Sequence, residues 1–458
     1  MNITFLIALI LYLLVFVIIG LMDFYKIKDF TDYSVAGKNQ TSFAVIMTLL
    51  ATVVGASTTI GITDTVYKIG FPGIWWLAFG AIGLILQSIF LSERVRSINA
   101  DTLPDLAGKI IGRPAELIIA IIIVISWIGV IAGQLVAMNS LIAFALGKNS
   151  KLIFGAVSII VIAYILVGGQ MSVVKTDKLQ LIIILLGVTV CLVYLYFVKG
   201  GDISGLADNI ELLNYNYGPM NLFTQFFVIG GVYFLGPDIM SRNFISKDEK
   251  TARISASIAG IVLLVFSVII TFIGMWLKYN ISPEEMGENG ALMYAISMLP
   301  KPLAILLVFG LLSAILSSTD TCIINASTIF VKDILKKENV NYVRITVFVI
   351  GGLALILAMM GRGDIMSLLT GAYSIYTPGV IFPLMIAIFA YKKNGVRVPL
   401  WVASVALGGS FGIAGTYFSG PLLALGIPSS LISYLTLIGM GLSLVFALIS
   451  VKWKKESK

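Results

Sequence analysis

Uninterrupted apolar runs of about twenty residues, each long enough to cross a bilayer core of roughly 30 Å as a helix, recur along the whole chain. Of its 458 residues, 59% are hydrophobic and 12% are charged. Because every backbone polar group in lipid needs an internal partner, we predict an all-α polytopic membrane protein. The thirteen predicted transmembrane helices lie at 3–21, 43–62, 73–92, 115–146, 152–168, 179–198, 219–240, 255–277, 302–330, 343–360, 366–390, 398–417 and 424–450.

The distribution of the 31 Lys and Arg residues supports this count. Connecting segments on the cytoplasmic side carry an excess of these residues. Taken alternately from the N-terminus, one set of segments holds 7 of them and the other holds 24. This asymmetry predicts that the N-terminus is outside and that the C-terminus, VKWKKESK, is inside. The net charge of +8 follows from the same bias and gives no reason to expect a nucleic-acid partner.

Composition also excludes several kinds of chemistry. The chain contains no histidine, which rules out imidazole metal sites, His proton relays and Ser-His catalysis. Cys191 and Cys322 both fall within predicted spans, where two buried thiols are more plausible than a disulfide. The first span lacks a basic region and a small-residue cleavage site, so we expect it to be a retained helix. No Ser stands in a convincing Ser-Lys arrangement within a span, so we expect no enzymatic activity and no organic cofactor.

Two spans carry interruptions at corresponding places. Span 2 contains LLATVVGASTTIG with Gly55 in its middle, and span 7 contains FFVIGGVYFLGPDIM with Gly236 and Pro237. The spans lie five apart and so run in opposite directions, as in transporters built from inverted repeats with broken first helices. Glycine also serves close helix packing in membranes, which is the alternative explanation. We predict one membrane domain, 1–458, with an extra span and loop (1–42), two repeats (43–198 and 219–390), and two extra spans with a basic tail (398–458).

The run SAILSSTDTCIINAST in span 9 is unusually polar for a membrane helix. Its hydroxyls could bond back to carbonyls one turn earlier, but that leaves Asp320 unexplained. Ser317, Asp320 and Thr321 share one helical face, and their oxygens suit a small hard cation. Backbone carbonyls freed near Ala51 and Val54 in a broken span 2 would complete such a site. The residues therefore predict an alkali-cation site between spans 2 and 9.

A second carboxylate, Asp177, lies in GGQMSVVKTDKLQ at the predicted start of span 6. From the sequence pattern alone, Thr176 or Asp177 is expected to cap that helix.

Five segments in the same order resemble the sodium/solute symporter family, which includes proline, pantothenate, sialic acid and sugar symporters. They lie between positions 29 and 390 and read FTDYSVAGK, GGQMSVVKTDKLQ, YFLGPDIMSRNF, SAILSSTDTCIINASTIFVKDI and GAYSIYTPGVIFP. The resemblance implies thirteen spans around a five-plus-five inverted-repeat core of the leucine-transporter type. It also implies one Na⁺ site formed by the carbonyls of Ala51, Val54 and Ala314 and the hydroxyls of Ser317 and Ser318.

The resemblance implies two further groups of residues. Some members look to have a second cation site, whose counterparts here are Asp177, Ser317, Asp320 and Thr321. This favours ion binding over capping for Asp177, although the two roles can coexist. The positions that correspond to a substrate pathway are Val53, Ser57, Thr58, Ile229, Tyr233 and Pro237. Because several of these are apolar, a small amino acid or carboxylic acid is expected in preference to a sugar.

We therefore expect a Na⁺-coupled secondary active symporter that imports a small organic solute by alternating access. Its expected partners are Na⁺, the solute and the lipid bilayer, and we expect it to act as a monomer in the plasma membrane of a prokaryote. Two alternatives stay open at this point. One is a H⁺-coupled carrier that uses Asp320 or Asp177 as the proton carrier, and the other is a solute sensor with a transporter-like body.

Overall fold

The protein is all-helical wherever the structure describes it. The structure is a computed structural model, and it describes residues 2–201, 210–287, 290–361, 363–391 and 394–452. Within these ranges there are isolated bridges but no strands. Eleven described helices are long and apolar enough to cross a membrane, and a bent pair brings the number to twelve. These observations confirm the predicted class, an all-α protein with many membrane spans.

The long helices follow one another along the chain with short helices between them. The long ones are Asn2–Phe24, Ser42–Val53, Trp75–Phe90, Arg113–Leu146, Lys151–Val193, Pro219–Leu235, Glu249–Asn280, Lys301–Ile329, Val340–Met359, Ile365–Tyr376, Val398–Tyr417 and Ser429–Ser450. The short ones are Phe30–Val35, Ala36–Lys38, Ser57–Gly61, Ile62–Ile69, Phe71–Ile74, Ser92–Ser97, Leu103–Ile110, Tyr194–Lys199, Pro237–Ile245, Pro283–Met286, Ala291–Met298, Phe330–Ile334, Thr377–Ile381, Phe382–Ala390 and Ser419–Ala424.

The apolar segment Lys151–Lys199 is too long for one crossing. Its 49 residues would extend about 74 Å as a helix, more than twice the thickness of a bilayer core. The backbone leaves the helical conformation at Gly169, where φ is 57° and ψ is −159°. A Cβ atom here would lie 2.7 Å from the ring of Tyr33, so both the dihedral angle and the close approach require glycine. Counting the two halves separately gives the thirteen crossings of the sequence analysis; that number and the orientation of the termini stay predictions.

The two predicted helix interruptions are present. Helix Ser42–Val53 ends at Val54, and the following segment Ser57–Ile69 continues at an angle of 61°. Helix Pro219–Leu235 ends at Gly236, whose ψ of 145° is extended, and Pro237 starts the next helix. Proline suits this first position because it lacks the N–H that would have no helical partner there. The repeat boundaries and the four-part division of the chain stay predictions, and residues 453–458 of the basic tail lie outside the described residues.

Helix Lys301–Ile329 occupies the middle of the molecule. It packs against the long helices Lys151–Val193 and Arg113–Leu146 and also contacts Ser42–Val53. Every residue from 310 to 329 on this helix is buried, including the whole polar run from Ser317 to Thr321. The helix therefore presents its hydroxyls and its carboxylate to other protein segments and not to lipid.

Candidate functional site: a buried polar centre between two broken helices

The serine pair of helix Lys301–Ile329 meets the end of helix Ser42–Val53. Ser317 Oγ donates a hydrogen bond to the Ala51 carbonyl at 2.7 Å and lies 3.1 Å from the Ala314 carbonyl oxygen. Ser318 Oγ donates to the Thr52 carbonyl at 2.8 Å. Four of the five residues predicted for the first Na⁺ site thus lie together, and Thr52 joins them.

Val54, the fifth residue, lies at the break itself. Its φ and ψ of −91° and 79° are outside the helical region, although its N–H still donates to the Leu50 carbonyl at 3.0 Å. Thr58 stabilises the break, because its hydroxyl accepts from the Gly55 N–H at 2.8 Å and donates towards the Val53 carbonyl at 3.1 Å. The break therefore leaves carbonyl groups outside a continuous helical ladder beside the two serines.

The oxygens of this serine–carbonyl group are all neutral. Hydroxyl and carbonyl oxygens are hard ligands, and unwound backbone carbonyls coordinate Na⁺ in transporters with broken helices. No group of three or more His, Cys, Asp or Glu side chains suited to a metal ion occurs within the described ranges. The chemistry of the group fits an alkali cation better than a divalent one.

Asp177 lies deep in helix Lys151–Val193 and contacts a buried arginine. The backbone is non-helical at Gly169, so Asp177 lies about two turns inside the second half of this helix, and the expectation from the sequence pattern that it caps a helix is wrong. Asp177 Oδ2 accepts a hydrogen bond from the Thr48 hydroxyl and lies 3.3 Å from Arg242 Nη2. The same Nη2 donates to Thr321 Oγ1 at 2.6 Å. Arg242 thus joins two of the residues predicted for a second cation site.

Asp320 faces a different neighbour. Its Oδ2 accepts a hydrogen bond from the Tyr164 hydroxyl. Oδ1 of Asp320 and Oδ1 of Asp177 have no hydrogen-bond partner among the described residues. Ser317, the remaining member of the predicted second site, directs its hydroxyl at Ala51 instead. Each carboxylate therefore keeps one buried oxygen that can accept a further ligand.

Sequence reasoning missed Arg242, Asp238 and Tyr164. Span 7 was predicted to end at position 240, just before the polar residues Ser-Arg-Asn. Helix Pro237–Ile245 instead continues through these residues and buries Arg242. The segment YFLGPDIMSRNF contained two of these residues and carried part of the family resemblance, which was the available signal. Tyr164, in the helix before Gly169, had no comparable signal.

A small central cavity of about 30 Å³ lies beside the serine pair. Three of the predicted pathway residues line it: Val53, Ser57 and Tyr233. Thr58 instead stabilises the break, and Pro237 starts a helix. The full lining consists of Thr52, Val53, Gly55, Ser57, Val130, Gln134, Val232, Tyr233, Asp238, Ile239, Ser318, Cys322, Leu369 and Tyr373.

A larger cavity of about 500 Å³, here named the vestibule, lies about one helical turn away. Ile229 lines the vestibule, whereas Tyr233, four residues later on the same helix, lines the central cavity. The remaining predicted pathway residue therefore lies one helical turn from the central cavity and outside its lining. The vestibule is lined by Trp76, Tyr217, Met220, Asn221, Thr224, Gln225, Val228, Ile229, Thr370, Ser374, Ser433, Tyr434 and Thr436, none of which is charged.

Comparison with known proteins places this geometry in context. A model of the sodium:solute symporter family matches residues 33–396. The sodium/pantothenate symporter of Haemophilus influenzae is 25% identical over 358 residues, which cover 73% of this chain and 72% of that protein.

Two solved structures are similar over most of their length. One is a Na⁺-coupled sialic acid symporter in a substrate-bound outward-open state, with a TM-score of 0.79, 16% identity, and 97% of each chain covered. The other is MhsT in complex with L-phenylalanine, with a TM-score of 0.60, 12% identity, and coverage of 89% of this chain and 98% of that one. At these identities the likeness shows the fold, which is of the leucine-transporter type.

Proposed function

We propose a function from one premise: this chain belongs to the sodium:solute symporter family. It is a multi-pass membrane transporter and not an enzyme, and its relatives support Na⁺-coupled symport. We propose that it imports a small amino acid or carboxylic acid by alternating access.

The coupling ion binds between the break after Val53 and helix Lys301–Ile329. The observation that carries this proposal is the pair of hydrogen bonds from Ser317 and Ser318 to the carbonyls of Ala51 and Thr52. When Na⁺ enters, the serine hydroxyls turn their oxygens to the ion, and the carbonyls of Ala51, Val54 and Ala314 complete its shell. The ion then holds together two segments that move against each other during transport.

Ser318 couples the ion to the solute. It belongs to the serine pair and also lines the central cavity, as does Gly55. A Na⁺ ion that fixes the position of Ser318 also fixes one wall of the solute site, which raises solute affinity. By linkage, bound solute raises Na⁺ affinity by the same factor.

The lining of the central cavity favours a small solute. Val53, Val130, Val232, Ile239 and Leu369 supply apolar surface, and polar side chains lie between them. The preference for an amino acid or carboxylic acid over a sugar rests on the apolar side chains of Val53 and Ile229, two positions of the predicted substrate pathway.

A second cation site at Asp177, Asp320 and Thr321 is a separate proposal. Its support is that each carboxylate retains one buried oxygen without a hydrogen-bond partner among the described residues. Ser317 would belong to both sites. Arg242 already supplies positive charge to Asp177, so the second ion would lie on the Asp320 side of the group.

We further propose thirteen crossings, with the N-terminus outside, in the plasma membrane of a prokaryote. In this orientation Trp76, Tyr217 and Ser433 lie towards the outside, so the vestibule opens to the medium. The serine–carbonyl group and the central cavity are both formed within one chain, which supports function as a monomer.

The energy available from one ion sets a limit on accumulation. A Na⁺ ion that enters across 100 mV releases about 2.3 kcal/mol, and a tenfold gradient adds about 1.4 kcal/mol. Together they sustain roughly a 500-fold accumulation of a neutral solute. A second ion would square this limit.

Removal of either serine hydroxyl tests the Na⁺ site. In proteoliposomes, Ser317→Ala and Ser318→Ala should each raise the Na⁺ concentration for half-maximal uptake by roughly tenfold, because one ligand of about 1.4 kcal/mol is lost. Thr319→Val is the matched control: its hydroxyl only bonds back to the Ile315 carbonyl at 2.7 Å, so its Na⁺ dependence should not change. Unchanged Na⁺ dependence in both serine variants would remove the site. If Na⁺-dependent uptake by the wild type has a Hill coefficient of one, this would contradict the proposed second cation site.

A further inference from the structure

Asp238 is the only charged side chain among the described residues that line the central cavity. It is the second residue of helix Pro237–Ile245, directly after the break at Gly236. Its side chain retains partial exposure, although neighbouring Pro237 and Ile239 are buried. Asp238 therefore keeps accessible surface in the interior of the molecule, where the cavity lies.

No described basic side chain forms an ion pair with Asp238, although the charge of Arg242 acts on it from a distance. The Trp127 indole N–H donates a hydrogen bond to its Oδ1. Arg242 lies one turn further along the same helix, but its guanidinium contacts Asp177, Thr52 and Thr321, and no ion pair joins it to Asp238 within the described ranges. A neutral indole donor orients a carboxylate without cancelling its charge.

The centre of the bundle thus contains more acid than base. Among the described residues there, three carboxylates, Asp177, Asp238 and Asp320, lie near one guanidinium, that of Arg242, and only Asp177 pairs with it. Buried charge is costly unless it is paired. One Na⁺ ion at the neutral serine–carbonyl group would offset part of the excess negative charge. A positive group beside Asp238 would offset more of it.

The surroundings of Asp238 suit an ammonium group. Tyr233 and Tyr373 line the same cavity, and aromatic faces attract organic cations. On another part of the lining, Gln134, Ser57 and Ser318 supply hydrogen-bonding groups for the rest of a small solute. An anionic group beside Asp238 would instead be repelled.

We propose that Asp238 binds the protonated amino group of the transported solute, so that the solutes are amino acids or amines and not acids or sugars without an amino group. This inference rests on the proposed function, because it concerns the solute of the same cavity. Of the two solute classes in the proposed function, amino acids and carboxylic acids, it retains the class that carries an amino group. The cavity of about 30 Å³ holds roughly one water molecule, so its walls must move apart as the solute enters.

Matched ligand pairs test the inference on the full-length wild-type protein. Thermal unfolding is measured in NaCl with each common amino acid and with the 2-hydroxy acid that replaces its amino group by a hydroxyl. We expect an amino acid to stabilise the protein and its hydroxy counterpart to have no effect. If a hydroxy acid, a simple carboxylic acid or a sugar is bound and accumulated in Na⁺ as well as any amino compound, the inference is overturned while the proposed symport stands. If no solute of any class accumulates, the proposed function itself fails.

A substitution assigns the effect to Asp238. Asp238→Asn should weaken binding of the stabilising amino acid on the order of thirty-fold or more, since it removes one member of a buried charge pair. Stabilisation by Na⁺ alone should persist, which shows that the variant is folded. Glu249→Gln, which removes an exposed carboxylate, is the control and should bind as the wild type does. Wild-type affinity in Asp238→Asn would overturn the inference, and the ligand pairs decide it if this variant does not fold.

Discussion

At the residue scale, Gly55 lies where the break in the second span approaches helix Lys301–Ile329 most closely. A Cβ atom at this position would be 2.5 Å from Ser318 Oγ and 3.2 Å from Gln134 Nε2. No side chain can be added here without displacing the serine from the Thr52 carbonyl. The glycine therefore sets the geometry of the proposed Na⁺ site.

Gly55→Ala should raise the Na⁺ concentration for half-maximal uptake by roughly tenfold or more, since it displaces a proposed ligand. The measurement is Na⁺-dependent uptake in proteoliposomes. Gly352→Ala is the matched control, because a Cβ atom there meets nothing within 4 Å. Equal Na⁺ dependence of the two variants would contradict the placement of Ser318 in the site.

The residues of the polar centre differ in how well the sequence could predict them. Ser317 was predicted to lie near Ala51 because its hydroxyl on an apolar helix and the glycine-containing break are visible in the sequence, and the family resemblance added Ser318. Arg242 was not predicted: it lies 65 positions from Asp177 and 79 from Thr321, and only the packing of three segments brings them together. A buried carboxylate indicates that a partner exists without indicating which residue it is.

At the element scale, both broken helices were predictable because glycine and proline mark where a helical ladder is interrupted. Helix Lys151–Val193 was predicted less well. The spans predicted at 152–168 and 179–198 left a connection of ten residues between them, whereas the chain returns to helix directly after Gly169. For this reason Asp177 was assigned to a helix start when it lies in an interior. Glycine and proline thus indicate where a helix is interrupted, whereas the polar residues near an interruption do not show where the next helix begins.

An ion-pair network joins three connecting elements at one end of the molecule, on the predicted cytoplasmic side. Asp101, in the connection before helix Leu103–Ile110, pairs with Lys38 and with Lys332. Lys332 also lies 3.2 Å from Glu338. Burial alone would raise the pKa of Asp101, but the two lysines outweigh it and hold the pKa below its usual range. The network links the segment before the first repeat to the end of helix Lys301–Ile329.

Asp101→Asn should lower the free energy of unfolding by about 1 to 3 kcal/mol at neutral pH, because it leaves two partly buried lysines without their shared partner. Since the pKa of Asp101 is lower in the folded state, its contribution is present above the unfolded-state pKa and is lost as the pH falls through the folded-state value. The difference between wild type and variant should therefore shrink on acidification. Thermal unfolding in detergent across pH measures it. A difference that grows on acidification would contradict the assignment.

At the scale of the whole molecule, the family supports Na⁺-coupled symport, the fold is of the leucine-transporter type, and three features of the structure depend on one another. The serine–carbonyl group is formed by the first broken helix and helix Lys301–Ile329. The central cavity shares Ser318 with that group and meets the second broken helix at Asp238. The vestibule lies one turn beyond. The proposed ion site, the proposed solute site and the vestibule are thus arranged around the two helix breaks.

The direct test of this account is solute accumulation in proteoliposomes that contain the purified wild-type protein, with radiolabelled amino acids and carboxylic acids assayed one at a time. The account predicts accumulation when a Na⁺ gradient and a negative interior potential are imposed, and only equilibration when Na⁺ is equal on both sides. The H⁺-coupled alternative predicts that a pH step drives accumulation without Na⁺. Accumulation driven by the pH step in Na⁺-free medium, or no solute movement under the Na⁺ gradient, would contradict Na⁺-coupled symport.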